Sequence, residues 1–206
     1  MQQQIKVMLE LQDSMNTKVH ADWRNQDFEW YRAIWIECGE LLDHYGWKWW
    51  KKQSPDVEQV KLELIDIWHF GLSILLQSGT GIDELAARVA RELEIATSEP
   101  DFRLDLEAFA GETLITRSFN VKSFGRLMAG MDLSFNELYS GYVGKNVLNF
   151  FRQDNGYKEG TYIKEWGGQE DNEHLVQVVQ KLDKASATFK DDLYQALTTR
   201  YQSLTA

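Results

Sequence analysis

Only two prolines, Pro55 and Pro100, interrupt the 206 residues of this chain. Proline lacks a backbone donor and clashes with the preceding helical turn, so its scarcity leaves long stretches open to helix. Those stretches carry apolar residues at three- and four-residue spacing, the period of a helix face and not of a strand. The reading is therefore all-α: a helical bundle over residues 1–206, with one domain as the default for this length.

The boundaries follow from local chemistry. A first helix is expected over about residues 2–19, with Ile5, Met8, Leu9, Met15 and Val19 near one face. A second runs from about Asp27 to Tyr45 and stops at Gly46, a residue common just past a helix end. A third opens with Ser54 as cap and Pro55 in the first helical position, and ends near Gln77. A fourth is expected over about residues 82–96, followed by helical pieces in 101–143 broken at Gly111, Gly125 and Gly130. Between Gly141 and Gly168 glycines, amides and aromatics mix without a period, which predicts a short helix and a structured loop. A last helix, capped by Asp171, is expected from Asn172 to the end.

Composition narrows the chemistry. The hydrophobic fraction of 43% is that of a folded protein. No apolar run approaches a bilayer span and the first residues lack the features of a signal peptide, so a cytoplasmic location with no membrane partner is expected. The single Cys38 excludes an internal disulfide and a paired-cysteine metal site. A net charge of −10 argues against a nucleic-acid polymer as partner, since phosphate backbones are neutralised by Lys and Arg. A phosphate ligand still suits an acidic protein if metal cations stand between them.

Two acidic pairs raise that possibility. Glu37 and Glu40 stand three apart in "ECGE", and Glu63 and Asp66 three apart in "ELID". Helical residues three apart are neighbours, with Cβ atoms roughly 5–6 Å apart. Leu62, Leu64, Ile65, Ile67 and Trp68 surround the second pair, so its acids are poorly placed for bulk water. Two facing helices of this kind can gather four carboxylates. Oxygen-only donors suit Mg²⁺, Mn²⁺ or Ca²⁺ rather than zinc. The alternative is that each pair is the solvated side of an amphipathic helix.

"ECGE" followed by "ELIDIWHF" resembles the paired acidic helices of the all-α nucleoside triphosphate pyrophosphatases. Together with "LELQDSMN", "WKWWKK" and "KNVLNFFRQDNGYKEGTYIKEWGGQEDN", in that order, it is most similar to the dimeric dUTPases. That resemblance implies a Mg²⁺-dependent dUTP diphosphatase that also accepts dUDP, with about two or three Mg²⁺ per site (Mn²⁺ being an alternative). It implies Glu37, Glu40, Glu63 and Asp66 as metal ligands and catalytic residues, with Glu37 also orienting or deprotonating the attacking water. It implies Lys145, Arg152 and Lys164 as phosphate contacts, and Asn149, Tyr157 and Asn172 as sugar or phosphate contacts. The helix carrying Gln12 and Asn16 reads uracil, Trp47 stacks on or walls the base, and His69 and Phe70 pack against the deoxyribose. Asp13 stands where some members carry a second Gln, which leaves open which residue of that helix contacts the base.

The same resemblance implies a homodimer and a more mobile part, placed at residues 80–165. Of Trp47, Trp49 and Trp50, at least one is expected in the core, because aromatics dominate cores. Cys38 reads as a small buried filler. Two rivals accompany this reading: a related pyrophosphatase for dCTP or another nucleotide, and a noncatalytic helical module whose acids only solvate its surface.

Overall fold

The computed structural model describes residues 1–94, 101–184, 186 and 188–205. The chain forms two compact units, Met1–Tyr142 and Val143–Ala206.

In the first unit, α1 (Gln2–Val19) buries Ile5, Met8, Leu9 and Met15 on one face, with Gln12 and Asn16 buried among them. The next helix, α2 (Trp30–Tyr45), starts three residues later than expected because Asp27 adopts a left-handed backbone at φ 49°. It ends at Gly46, whose φ of 97° a side chain would strain. The cap of α3 (Val57–Gln77) is Asp56 and not Ser54: its carboxylate accepts the Gln59 amide at 3.3 Å. The Asp56 amide donates to the His44 carbonyl at 3.0 Å, so the start of α3 is set by contact with the end of α2.

Beyond it come α4 (Ile82–Glu94), α5 (Phe102–Thr116) and α6 (Val121–Gly130). Residues 95 and 96 of the expected fourth helix lie outside the described residues. Gly111 and Gly125 fall inside helices and break neither. The break after α5 comes at Arg117, which turns left-handed at φ 53°, and Asn120 recaps the chain through the Ser123 amide. Helix α7 (Phe135–Asp154) runs straight through Gly141 and Gly144, so the short helix expected there is long.

Helices α2 and α3 make the most extensive interhelical contact. Trp68 of α3 stacks on Phe124 at 5.1 Å, and Phe119 and Phe109 close the cluster. Gly71 admits Phe119 to this cluster: a Cβ there would lie 2.6 Å from the ring.

The second unit is built on Phe151 and Trp166, with ring centroids 5.6 Å apart and Tyr201 against both. A hairpin of β1 (Glu165–Trp166) and β2 (Gln169–Glu170) turns through Gly167 and Gly168, both at positive φ, as a two-residue hairpin turn requires. The expected last helix is two: α8 (Asp171–Val179) and α9 (Phe189–Thr205). Its cap is Glu170, in a reciprocal capping box with Glu173, because the Asp171 carboxylate is engaged elsewhere.

Candidate active site

Helices α2 and α3 bring three of the four predicted acids together. Glu37, Glu63 and Asp66 each offer a carboxylate oxygen, and these oxygens lie within 4.8 Å of one another. Glu63 is buried and the other two are half-buried. Glu40 is exposed and outside the group; three residues along a helix it is rotated about 60° from Glu37, toward solvent.

Like charges this close in a partly apolar setting are costly, which raises their affinity for a proton. Burial first, then the charge of Asp66 and a hydrogen bond with Glu63, push the Glu37 carboxyl up to about 8; the charges of Glu63 and Glu40 add to it. His44 Nε2 stands 3.6 Å from Glu63 Oε1. Cys38, at 3% exposure, is the expected small filler. Burial, with the charge of Glu37, pushes its thiol up to about 12, which leaves it unreactive.

This donor set suits a hard cation: three carboxylates and no sulfur, one oxygen of each within 4.8 Å of the others. A divalent ion would replace the Glu37 proton and satisfy the repulsion that raises its affinity.

The predicted base-reading residues form a second cluster in the same unit. Gln12 Nε2 donates to Asn16 Oδ1 at 3.0 Å and to Ser73 Oγ at 3.1 Å. Asn16 Nδ2 donates to the same Ser73 oxygen at 3.0 Å. Gln12 Oε1 lies 2.9 Å from the Tyr142 hydroxyl and 3.1 Å from His69 Nδ1, and His69 stacks on Tyr142 at 4.2 Å. Asp13 points away from this cluster, taking Arg24 at 2.9 Å and the Trp23 indole at 3.2 Å. Phe70 stacks on Trp30 at 6.2 Å.

The tryptophan segment corrects the expectation of a core residue. Trp47, Trp49 and Trp50 are all exposed, Trp49 at 90%. They pack edge-on against one another, and Trp47 Nε1 donates to Asp43. The core places are taken by Trp23, Trp68 and Trp166.

In the second unit, Arg152 forks onto Asp171, Nε and Nη2 each 2.8 Å from a carboxylate oxygen, while Nη1 donates to Asn149 Oδ1 at 3.3 Å. Tyr162 donates to the same carboxylate at 2.9 Å. Burial raises Asp171, but the guanidinium and the phenol together hold it below the ordinary carboxylate range. Lys145 is half-buried, whereas Lys164 is exposed and paired with Glu170 at 3.3 Å. Tyr157 and Asn172 are exposed.

Residues 4–157 match the family described as dUTPase. The chain belongs to the dUTPase family. A comparison with curated proteins gave no match. The family's match spans three quarters of the chain and covers the acids of α2 and α3, the Gln12–Asn16 helix and the late block as far as Tyr157; Lys164 and Asn172 lie beyond it. Membership makes this chain a dUTP diphosphatase and agrees with its all-α fold. None of the described helices is long and apolar enough to cross a membrane.

Sequence reasoning about this dUTPase-family chain missed His44, Ser73, Tyr142 and Asp171. His44 had a signal: seven residues after Glu37, it shares that helix face. Ser73 had one too, four residues after His69. Tyr142 and Asp171 had none, since their partners are distant in sequence.

Proposed function

We propose that the chain hydrolyses dUTP to dUMP and pyrophosphate with Mg²⁺, and dUDP to dUMP and phosphate, by attack on the β-phosphorus. The observation that carries this reading is the meeting of Glu37, Glu63 and Asp66 within 4.8 Å. These three would hold Mg²⁺, with Glu40 at the solvent side of the same helix. When bound, Mg²⁺ supplies the positive charge that neutralises the polyphosphate and lowers the pKa of water.

The protein's own residues do the rest. A Glu37 carboxylate oxygen orients the attacking water or takes its proton. The water oxygen bonds to the β-phosphorus, the bond from that phosphorus to the α–β bridging oxygen breaks, and the bridging oxygen leaves with dUMP. Because the γ-phosphate takes no part, dUDP is also a substrate. Lys145, Arg152 and Lys164 contact phosphates, with Asn149, Tyr157 and Asn172 on the sugar or phosphates. Arg152 has two N–H groups beyond the three bonds it makes to Asp171 and Asn149, enough for a fork onto phosphate oxygens. Gln12 and Asn16 read uracil, Trp47 walls the base, and His69 and Phe70 pack on the deoxyribose. Of residues 80–165, those the structure describes (80–94 and 101–165) form the part that moves when nucleotide binds.

A homodimer belongs to the same proposal. Trp35 and Ile36 on α2 are about half exposed, and Trp49 and Trp50 are exposed too, apolar surface of the kind that subunits bury.

Hydrolysis in ¹⁸O-water tests the chemistry. Label in pyrophosphate is expected; label in dUMP refutes attack at the β-phosphorus.

A further inference from the structure

Four buried side chains in the first unit, Gln12, Asn16, Ser73 and Tyr142, form a hydrogen-bonded set in which Ser73 fixes the direction of both amides. Ser73 is fully buried on α3, and its hydroxyl has one proton, which goes to the His69 carbonyl 3.2 Å away in its own helix. Two amide groups face the same oxygen at 3.1 and 3.0 Å. With the Ser73 proton spent, both must present nitrogen. Gln12 Nε2 and Asn16 Nδ2 are therefore the donors, and Gln12 Oε1 is left to accept from His69 Nδ1–H and from the Tyr142 hydroxyl, which divides its one proton between this oxygen and the Met8 carbonyl, each 2.9 Å away. The Asn16 oxygen accepts from Gln12 at 3.0 Å, so neither amide can turn over without the other.

The count of bonds separates the two amides. Gln12 uses both N–H groups on protein partners, and its oxygen faces two more, His69 Nδ1 and the Tyr142 hydroxyl that it shares with the Met8 carbonyl. Asn16 uses one N–H and one lone pair, which leaves it one donor and one acceptor of fixed polarity. Uracil presents a carbonyl acceptor beside the N3–H donor; cytosine presents an amino donor beside the N3 acceptor. An asparagine able to rotate would satisfy either edge. One held in a single orientation satisfies uracil and leaves cytosine with donor against donor and acceptor against acceptor, the unpaired polar contact on which discrimination between similar bases rests.

Resting on the dUTPase reading above, we infer that Ser73 and Tyr142 are specificity-determining positioning residues that lock the Gln12–Asn16 amide pair in the orientation matching uracil. Ser73 fixes the nitrogen ends of both amides, and Tyr142 meets the oxygen end of Gln12.

The test uses Ser73→Ala and Tyr142→Phe in the full chain, with initial rates on dUTP and dCTP in Mg²⁺ and a thermal melt of each variant. Each variant is expected to raise the dUTP KM more than it lowers kcat, and to shrink the dUTP-to-dCTP ratio of kcat/KM about tenfold. Tyr142→Phe removes one oxygen and keeps the ring on His69, so it decides the matter if Ser73→Ala does not fold. A ratio within twofold of the parent's in the folded variants, or equal losses on both nucleotides in step with the melting temperature, overturns the inference and leaves dUTP hydrolysis standing. A parent protein that turns over dUTP and dCTP equally also overturns it. A parent inactive on dUTP sinks the underlying reading as well.

Discussion

Glu37 on α2 and Glu63 on α3 share a hydrogen bond, which adds to burial and the Asp66 charge in pushing the Glu37 carboxyl up to about 8. Two carboxylates do this only when held closer together and further from water than their charges favour. The pair is thus a measure of how strongly this spot demands a cation.

The pH dependence of the metal-free protein follows. Glu37 has its folded pKa raised from 4.5 to about 8. A raised carboxyl stabilises the fold fully below its unfolded value, and that contribution is lost as pH rises through the folded one. The melting temperature of the metal-free protein should fall between about pH 4.5 and about pH 8, more steeply than that of Glu37→Gln. Mg²⁺ should restore stability at the upper end of this window. Parallel pH profiles for the two proteins would refute the cluster's electrostatics.

Glu63→Gln should abolish turnover, by about a thousandfold or more, while the helical circular dichroism stays. Glutamine keeps the shape of this buried side chain and removes the negative charge that a cation needs. Substantial activity at saturating Mg²⁺ would remove Glu63 from the ligand set.

Asp171→Asn should destabilise the fold by about 3 kcal/mol in urea titrations, because a half-buried guanidinium loses its only charged partner among the described residues. The Asp171 side chain is fully buried and Arg152 is 17% exposed. Asp171→Asn combined with Arg152→Gln should recover part of that loss. A simple sum of the two single losses would show that the pair is not coupled.

Trp68→Ala should cost about 3–5 kcal/mol, as for any large side chain removed from a closed cluster. Trp49→Ala should change the stability of the isolated chain by less than about 0.5 kcal/mol. If it also weakens self-association in sedimentation experiments, Trp49 belongs to the subunit interface; a monomeric parent protein would remove the homodimer from the proposal.

Periodicity and breakers were enough to read the helices of the acid-bearing core. The extents of α1 and the end of α3 at Gln77 follow from apolar spacing and glycine stops that act within a few residues. The paired acids were legible for the same reason, since three-residue spacing on a helix is itself a geometric statement. The cap of α3, by contrast, is Asp56 because the end of α2 holds its amide, and the cap of α8 is Glu170 because Arg152 claims Asp171. Those choices belong to contacts between distant segments.

The chain's lettering alone therefore determined an all-α protein of the dUTPase family with carboxylates on two neighbouring helices. Only the tertiary structure decided that three of the acids share one cluster while Glu40 stays in solvent. It alone placed the tryptophans of residues 47–50 outside the core, and locked the two amides of α1 by a serine and a tyrosine from elsewhere in the chain. Helix period is a local property of backbone and side-chain spacing. Which oxygen meets which nitrogen depends on how helices far apart in sequence are packed, and no local pattern encodes that.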